Sequence, residues 1–287
     1  MNNTKGKPIH IDQVIFGKVV LQDTMKNQKK QNILVTDYIN EVKAGYGAVI
    51  FNGAFSKNNY DCPLVILDDN SNHNLSLNEN DIVAIYPNGE IILLYRQGWK
   101  DVTLFFTNQC NSRCIICPQT SNIEDKGNFL EFNKQLLDIL PCEIEHIGIT
   151  GGEPTVFKED LIEIIKYIHE IYPNISISLL TNGRALKDKE FVVKLKAIGH
   201  KRMLFCIPLY AANHEQHDLI VGSKGAFIET IEGIYNLYKA QLLIEIRIVV
   251  FKYNFLWLND FSSFLYLELS SQVQRFLIIY FIRCFPV

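Results

Sequence analysis

The sequence predicts an α/β protein: a partial (β/α)6 barrel preceded by a small β-rich domain. Three observations predict it. The 287 residues are 48% apolar, enough for one large core or two smaller ones. Residues before about 98 fall into short strand-like runs separated by Asn, Asp, Lys and Gly. After residue 101 strand and helix patterns alternate, as they do in parallel βα units.

In the first stretch the clearest element is Asp81–Tyr95, two apolar runs separated by Asn88-Gly89, a pair suited to the positive φ angles of a tight hairpin. Val14–Val20, Ala48–Phe51 and Leu64–Leu67 read as further strands, and Asp68–Asn74 as a solvated loop. Together they outline a domain over residues 1–98.

A second domain is expected over residues 99–255. Val102–Thr107, Ile144–Thr150, Ile175–Leu180, Met203–Leu209 and Leu243–Phe251 read as five strands. Helices are predicted near Asn133–Leu140, over Lys158–Ile171, over Lys187–Ile198 and around Phe227–Tyr238. In Lys158–Ile171 the apolar Leu161, Ile164, Ile165 and Ile168 recur at helical spacing, and Glu159 and Asp160 suit the positive end of the dipole.

Residues 256–287 fit no period, and two readings stand: a buried strand, or a truncated or frameshifted end. The apolar run Phe276–Ile282 is far short of the roughly 20 residues that span a bilayer. No membrane association is therefore expected. The polar start, Met1 to Pro8, leads into no apolar signal segment, which predicts a cytoplasmic protein. A net charge of -3, with 28 basic and 31 acidic residues dispersed, forms no stripe for a phosphate backbone, so nucleic acid is not an expected partner.

In a reducing compartment, seven cysteines with three bunched together argue for metal ligation over disulfides. Cys110, Cys114 and Cys117 follow the first barrel strand as Cys-x3-Cys-x2-Cys. Three thiolates on one loop suit an iron–sulfur cubane with its fourth iron open to an external ligand. A zinc site completed by His146 or Cys142 is the bland alternative. Cys62, Cys142, Cys206 and Cys284 read as buried or incidental thiols, Cys206 among apolar neighbours.

The second barrel strand ends in Thr150-Gly-Gly-Glu-Pro154, where two glycines permit close backbone approach to a ligand, Glu153 supplies a carboxylate and Pro154 stiffens the exit. Thr181-Asn182-Gly183 ends the third strand, as a ligand contact or a plain turn. His214 and His217 lie three apart after the fourth strand, either as a metal pair or, more simply, as a solvated helix start.

Taken together, the cysteine triplet and the Gly-Gly-Glu-Pro turn resemble the radical S-adenosylmethionine (SAM) superfamily over about residues 101 to 255. The resemblance implies a [4Fe–4S] cluster on Cys110, Cys114 and Cys117, with S-adenosyl-L-methionine on its open iron. It further implies that the turn of Gly151, Gly152, Glu153 and Pro154 receives the SAM amino group through its backbone. Ile116 stands where the family places an aromatic residue against the adenine, and Asn182 lies near the ribose or methionine. Reductive cleavage of SAM to a 5′-deoxyadenosyl radical is the implied chemistry.

Ile147–Pro154, Leu179–Arg184, Ile207–Tyr210, His217–Gly222 and Gly225–Phe227 look like the His-Xaa-Ser system radical SAM maturases (HxsC). That likeness implies a peptide or small-protein substrate, a reductant protein and a second radical SAM subunit as partners. A separate β-rich domain suits a peptide, which could join it by edge addition. Two alternatives are carried: the same chemistry on a small molecule, and a non-catalytic cluster-binding remnant lacking the sixth barrel strand.

Overall fold

The computed structural model describes residues 3–22, 29–36, 45–52, 62–67, 76–119, 127–269 and 277–283. These divide into two compact units, one of Met1–Val102 with Gln135–Ile144 and one of Thr103–Lys134 with Glu145–Val287.

The first unit is an eight-membered sheet. Its strands are β1 (Asn3–Lys5), β2 (Lys7–Ile9), β3 (Ile15–Val20), β4 (Asn32–Thr36), β5 (Ala48–Asn52), β6 (Leu64–Leu67), β7 (Ile82–Ile85) and β8 (Glu90–Tyr95). The sheet runs β1-β8-β7-β3-β4-β5-β6-β2. Its two outermost members, β1 and β2, are separated only by Gly6, so one amino-terminal strand pairs with β8 and then with β6 and closes the sheet into a barrel. Gly6 sits at the seam: its N–H donates to Gly89 O at 3.0 Å, and a Cβ there would fall 2.4 Å from Ile66 O. Val19, Ile33, Ile50, Val65, Val83, Ile85 and Ile91, drawn from β3 through β8, meet in one buried cluster. Such a meeting of six strands is what the filled lumen of a small barrel provides.

Closure corrects the expectation of peptide edge addition, because a closed barrel has no edge to offer. The hairpin is present, but its geometry differs from the one predicted. Gly89 N–H donates to Tyr86 O at 2.9 Å and only Gly89 takes positive φ, at 82°. Pro87 and Asn88 thus occupy the centre of a four-residue turn, with proline's fixed φ at its first central position. The Asp68–Asn74 loop lies outside the described residues.

The second unit is built on a six-stranded sheet ordered β14-β13-β12-β11-β10-β9. These are β9 (Asp101–Phe105), β10 (His146–Thr150), β11 (Ser176–Leu180), β12 (Met203–Pro208), β13 (Leu243–Val250) and β14 (Leu277–Arg283). Pairing is parallel from β10 through β14. Helix α1 (Leu130–Ile139) is divided between the two units, and the second unit's own helices are α2 (Lys158–Ile171), α3 (Lys189–Ala197), α4 (His214–Val221), α5 (Ala226–Lys239) and α6 (Leu258–Phe264).

Local chemistry explains their limits. Asp188 caps α3, its side chain accepting from the N–H groups of Glu190 and Phe191, and Asn213 caps α4 by accepting from Gln216 N–H. Gly222, at φ 60°, ends α4 in the left-handed conformation that glycine adopts most readily. Helix α2 buries Leu161, Ile162, Ile164, Ile165 and Ile168 along one face, as its periodicity predicts.

At the carboxyl end, beyond the five strands read from the sequence, two readings stood, a buried strand or a truncated end, and the structure forms a strand. Leu277–Arg283 forms a sixth, in parallel register with β13 from Ile244↔Leu277 to Val250↔Arg283. The remnant reading rested on its absence. An unbroken apolar run carries no alternation, and strands of parallel sheets read this way. Among the described residues, no helix is long and apolar enough to cross a membrane.

Candidate functional site

The cysteine loop leaves the carboxyl end of β9 and is held from three sides. Backbone amides of Arg113 and Ile115 donate to Val221 O and Ile220 O, both at 2.9 Å. Carbonyls in the last turn of a helix lack intrahelical partners, so the end of α4 is a natural anchor for this loop. At its base, Gly152 N–H donates to Thr107 O at 2.6 Å and Glu153 N–H to Gln109 O at 2.7 Å. From β11, Asn182 Nδ2 donates to Asn111 Oδ1 at 2.6 Å.

Arg184 makes the strongest tie. Its Nη1 donates to Asn111 O at 2.5 Å, to Ser112 Oγ at 3.2 Å and to Ser223 Oγ at 2.9 Å. Its Nε donates to Glu229 Oε2 at 2.6 Å, while Lys187 holds the other oxygen of the same carboxylate. Because Nε is anchored on Glu229 and Nη1 on the loop, the rigid guanidinium plane links the two directly.

Gly151 and Gly152 explain the glycine pair differently from the sequence reading. A Cβ on Gly152 would lie 2.2 Å from Gln109 O, and one on Gly151, at φ +148°, 2.5 Å from Thr107 O. The close approach is thus made by the base of the cysteine loop itself. Glu153, only 1% exposed, spends its carboxylate on protein donors. Oε1 accepts from Thr155 N–H at 3.0 Å, Thr155 Oγ1 at 2.6 Å and Thr181 Oγ1 at 2.6 Å, and Oε2 accepts from Asn182 N–H at 2.6 Å. Burial pushes its acidity down, raising the pKa, while these four bonds pull the other way.

The three thiols are free, Cys110 and Cys114 half-buried and Cys117 exposed. Burial, with Cys110 and Cys117 close by, pushes the Cys114 thiol up to about 12. Ile116 and Cys114 pack against buried Tyr210, Ile220, Val221 and Ala226, joined by Val249, Phe251 and Trp257. Tyr210 N–H donates to His217 Nδ1 at 3.3 Å, and the two rings stack with centroids 5.8 Å apart.

Among the described residues, no three His, Cys, Asp or Glu side chains converge on a point that a single ion could occupy. The zinc alternative loses its candidates: His146 Nε2 engages Ser178 Oγ at 2.9 Å and Cys142 is exposed. A cubane carries its irons at separate corners, so its thiolates need no common point. Three free thiols on one anchored loop, beside an apolar wall, fit that larger group. The His214 and His217 pair separates, with His217 buried and His214 largely exposed, which accords with a capped helix start.

A family model described as "Radical SAM superfamily" matches residues 104–261. The chain belongs to the radical SAM superfamily. Its cofactors are accordingly a [4Fe–4S] cluster and SAM, and its class is an enzyme class. A "Probable GTP 3',8-cyclase" of Saccharolobus islandicus is 30% identical over 180 residues, 61% of this chain and 54% of that one. A "GTP 3',8-cyclase" of Nautilia profundicola is 31% identical over 154 residues, 50% of this chain and 45% of its own. The chain spans about half the length of the curated relatives it matches. Among solved structures, Streptococcus suis SuiB bound to precursor peptide SuiA gives a TM-score of 0.48 at 18% identity, covering 66% of this chain and 40% of SuiB. Native anSMEcpe with bound AdoMet gives 0.48 at 20%, covering 65% of this chain and 51% of that one.

Residues that sequence reasoning did not single out complete the site. Ser112 is buried, and Arg184 and Glu229 form its brace. Arg184 was marked only by its place directly after the Thr-Asn-Gly turn, at the end of the Leu179–Arg184 phrase; Glu229, 45 residues on, had no signal.

Proposed function

We propose that this chain is a radical SAM enzyme that modifies a peptide or small protein, of the His-Xaa-Ser maturation type. In this reading Cys110, Cys114 and Cys117 hold the [4Fe–4S] cluster. Gly151, Gly152, Glu153 and Pro154 receive SAM through their backbone, with Ile116 against the adenine and Asn182 near the ribose or methionine. The observation that carries it is the meeting, at the carboxyl ends of β9, β10 and β11, of three free thiols, a Gly-Gly-Glu turn and the Thr181–Gly183 turn, joined by direct hydrogen bonds. Active sites of βα sheets are built at such strand exits.

When bound, the cluster and SAM supply one-electron cleavage of the sulfonium to a 5′-deoxyadenosyl radical. The chain's own residues do the positioning. Arg184 and the end of α4 fix the cysteine loop, and Glu153 fixes β10 against β11. Tyr210, Ile220, Val221 and Ile116 provide an apolar wall beside Cys114. The reading includes a division into domains 1–98 and 99–255 followed by residues 256–287, a cytoplasmic setting, a reductant protein and a second radical SAM subunit.

A second reading, the same chemistry on a nucleotide, is favoured by the GTP 3',8-cyclase relatives. The two are separated by supplying anaerobically reconstituted protein with SAM, dithionite and either a His-Xaa-Ser peptide or GTP. The peptide reading expects 5′-deoxyadenosine formation with a mass change in the peptide. A change in GTP alone favours the second reading, and no 5′-deoxyadenosine from cluster-loaded protein contradicts both.

A further inference from the structure

Two histidines meet near the amino ends of β11 and β12, at the far end of those strands from the cysteine loop. His169 lies in the last turn of α2, and His200 lies in the connection from α3 to β12. Their Nδ1 atoms are 3.2 Å apart, and the rings stand edge to face with centroids separated by 5.3 Å. His200 is only 7% exposed, whereas His169 is half-buried.

The proton positions follow from the partners. A carbonyl only accepts, so His200 Nε2 carries a proton and donates to Ile175 O at 2.9 Å. Burial lowers the pKa of His200 and keeps the ring neutral. Its Nδ1 is therefore an unprotonated lone pair, held against the ring of His169. An imidazole whose other nitrogen is tied to a backbone carbonyl is the form in which proteins orient a metal-ligating histidine.

The spacing fits the same chemistry. Two zinc–nitrogen bonds of about 2.0–2.1 Å that meet at a tetrahedral angle place their nitrogens about 3.3 Å apart. As a hydrogen bond between nitrogens, 3.2 Å is at the long end of the ordinary range. Charge then selects the ion. The carbonyls that end α2 put partial negative charge beside His169, while the nearby Arg202 guanidinium opposes any cation at His200. Two imidazoles without a carboxylate offer Mg²⁺ none of the oxygen ligands it prefers, but they suit zinc, nickel or copper. Among the described residues no third His, Cys, Asp or Glu converges with the pair, so water fills the remaining positions.

We propose that His169 and His200 bind one divalent transition-metal ion of the zinc class through their Nδ1 atoms. The ion clasps the end of α2 to the lead into β12. This site is separate from the cysteine loop and holds whichever substrate the enzyme takes.

The test titrates Zn²⁺ by calorimetry into cluster-loaded protein, whose three cysteines are occupied, with iron content measured before and after. Wild type should bind one Zn²⁺ with its iron retained, and Mg²⁺ should not displace it. His169→Gln and His200→Gln should each weaken binding roughly tenfold or more. His200 is buried, so the His169 variant carries the test if the other fails to fold. Zinc-edge X-ray absorption should show nitrogen and oxygen neighbours and no sulfur. Equal Zn²⁺ affinity in wild type and His169→Gln, absence of Zn²⁺ binding by wild type, displacement by Mg²⁺, or sulfur neighbours with loss of iron would overturn the proposal.

Discussion

Thr181 Oγ1 donates to Glu153 Oε1 at 2.6 Å, and through that bond the exit of β11 is fastened to the exit of β10. The same carboxylate accepts three more donors, two of them from Thr155 and one from Asn182. Glu153 is thereby a brace that sets two turns at fixed spacing. Glu153→Gln replaces an acceptor with an amide bearing hydrogens of its own, so at least one buried donor faces another. The expected loss is about 3 kcal/mol of unfolding free energy, read by urea melts of the cluster-free protein; a loss indistinguishable from zero would refute the brace.

Arg184 fixes the cysteine loop through Asn111 O and Ser112 Oγ. Arg184→Gln keeps a donor but cannot span both Glu229 and the loop. Residues that orient metal ligands typically matter tenfold or more, so the reconstituted variant should surrender iron to a chelator roughly tenfold faster than wild type. Arg184→Lys, lacking the forked geometry, should restore little of it. Equal release rates would mean the loop is held without this arginine.

Gly152 lies where a Cβ would come within 2.2 Å of Gln109 O. Gly152→Ala must displace the base of the cysteine loop, at a cost of about 1–3 kcal/mol. Iron and sulfide per chain should fall with it. At Gly6 the same reasoning predicts that Gly6→Val opens the barrel seam, destabilising the first unit without altering cluster loading. Hydrogen exchange confined to β1, β2, β6 and β8 would locate that opening.

Stability should fall on acidification. Burial pulls His217 down to about 4, against 6.5 for a free imidazole, with Asp218 raising it and Arg184 lowering it. The buried His200, flanked by His169 and Arg202, is also depressed by burial. Both rings are neutral in the fold, so the unfolded chain binds more protons between their folded and unfolded pKa values. The contribution is fully present above about pH 6.5 and is lost as pH falls toward 4, amounting to about 3 kcal/mol for His217. His217→Phe should flatten the dependence of urea stability on pH over that window; an unchanged slope would assign it to other groups.

Much of this architecture is legible from residues close in sequence. The helix Lys158–Ile171 is written in its apolar period and acidic first turn, and the structure has the same limits. The cysteine loop and Gly-Gly-Glu turn could be read from spacing alone, though not the reason for the glycines, which is the approach of Thr107 and Gln109 at the base of the cysteine loop. What stayed hidden depends on long-range pairing. Barrel closure through Gly6 joins residues that are over 50 positions apart, Ile9 with Leu64 and Lys5 with Glu90. β14 has no alternation to betray it, and its place is set only by its parallel register with β13. Arg184 and Glu229 are likewise ordinary helix and turn residues until the fold brings them together.

The central claim is that Cys110, Cys114 and Cys117 hold a cluster with one iron open to SAM. Iron and sulfide content, followed by EPR of the dithionite-reduced protein with and without SAM, tests it most directly. The account predicts about four irons per chain and a reduced-cluster signal whose g values shift when SAM is added. A signal identical with and without SAM, in protein carrying a full complement of iron, would contradict it.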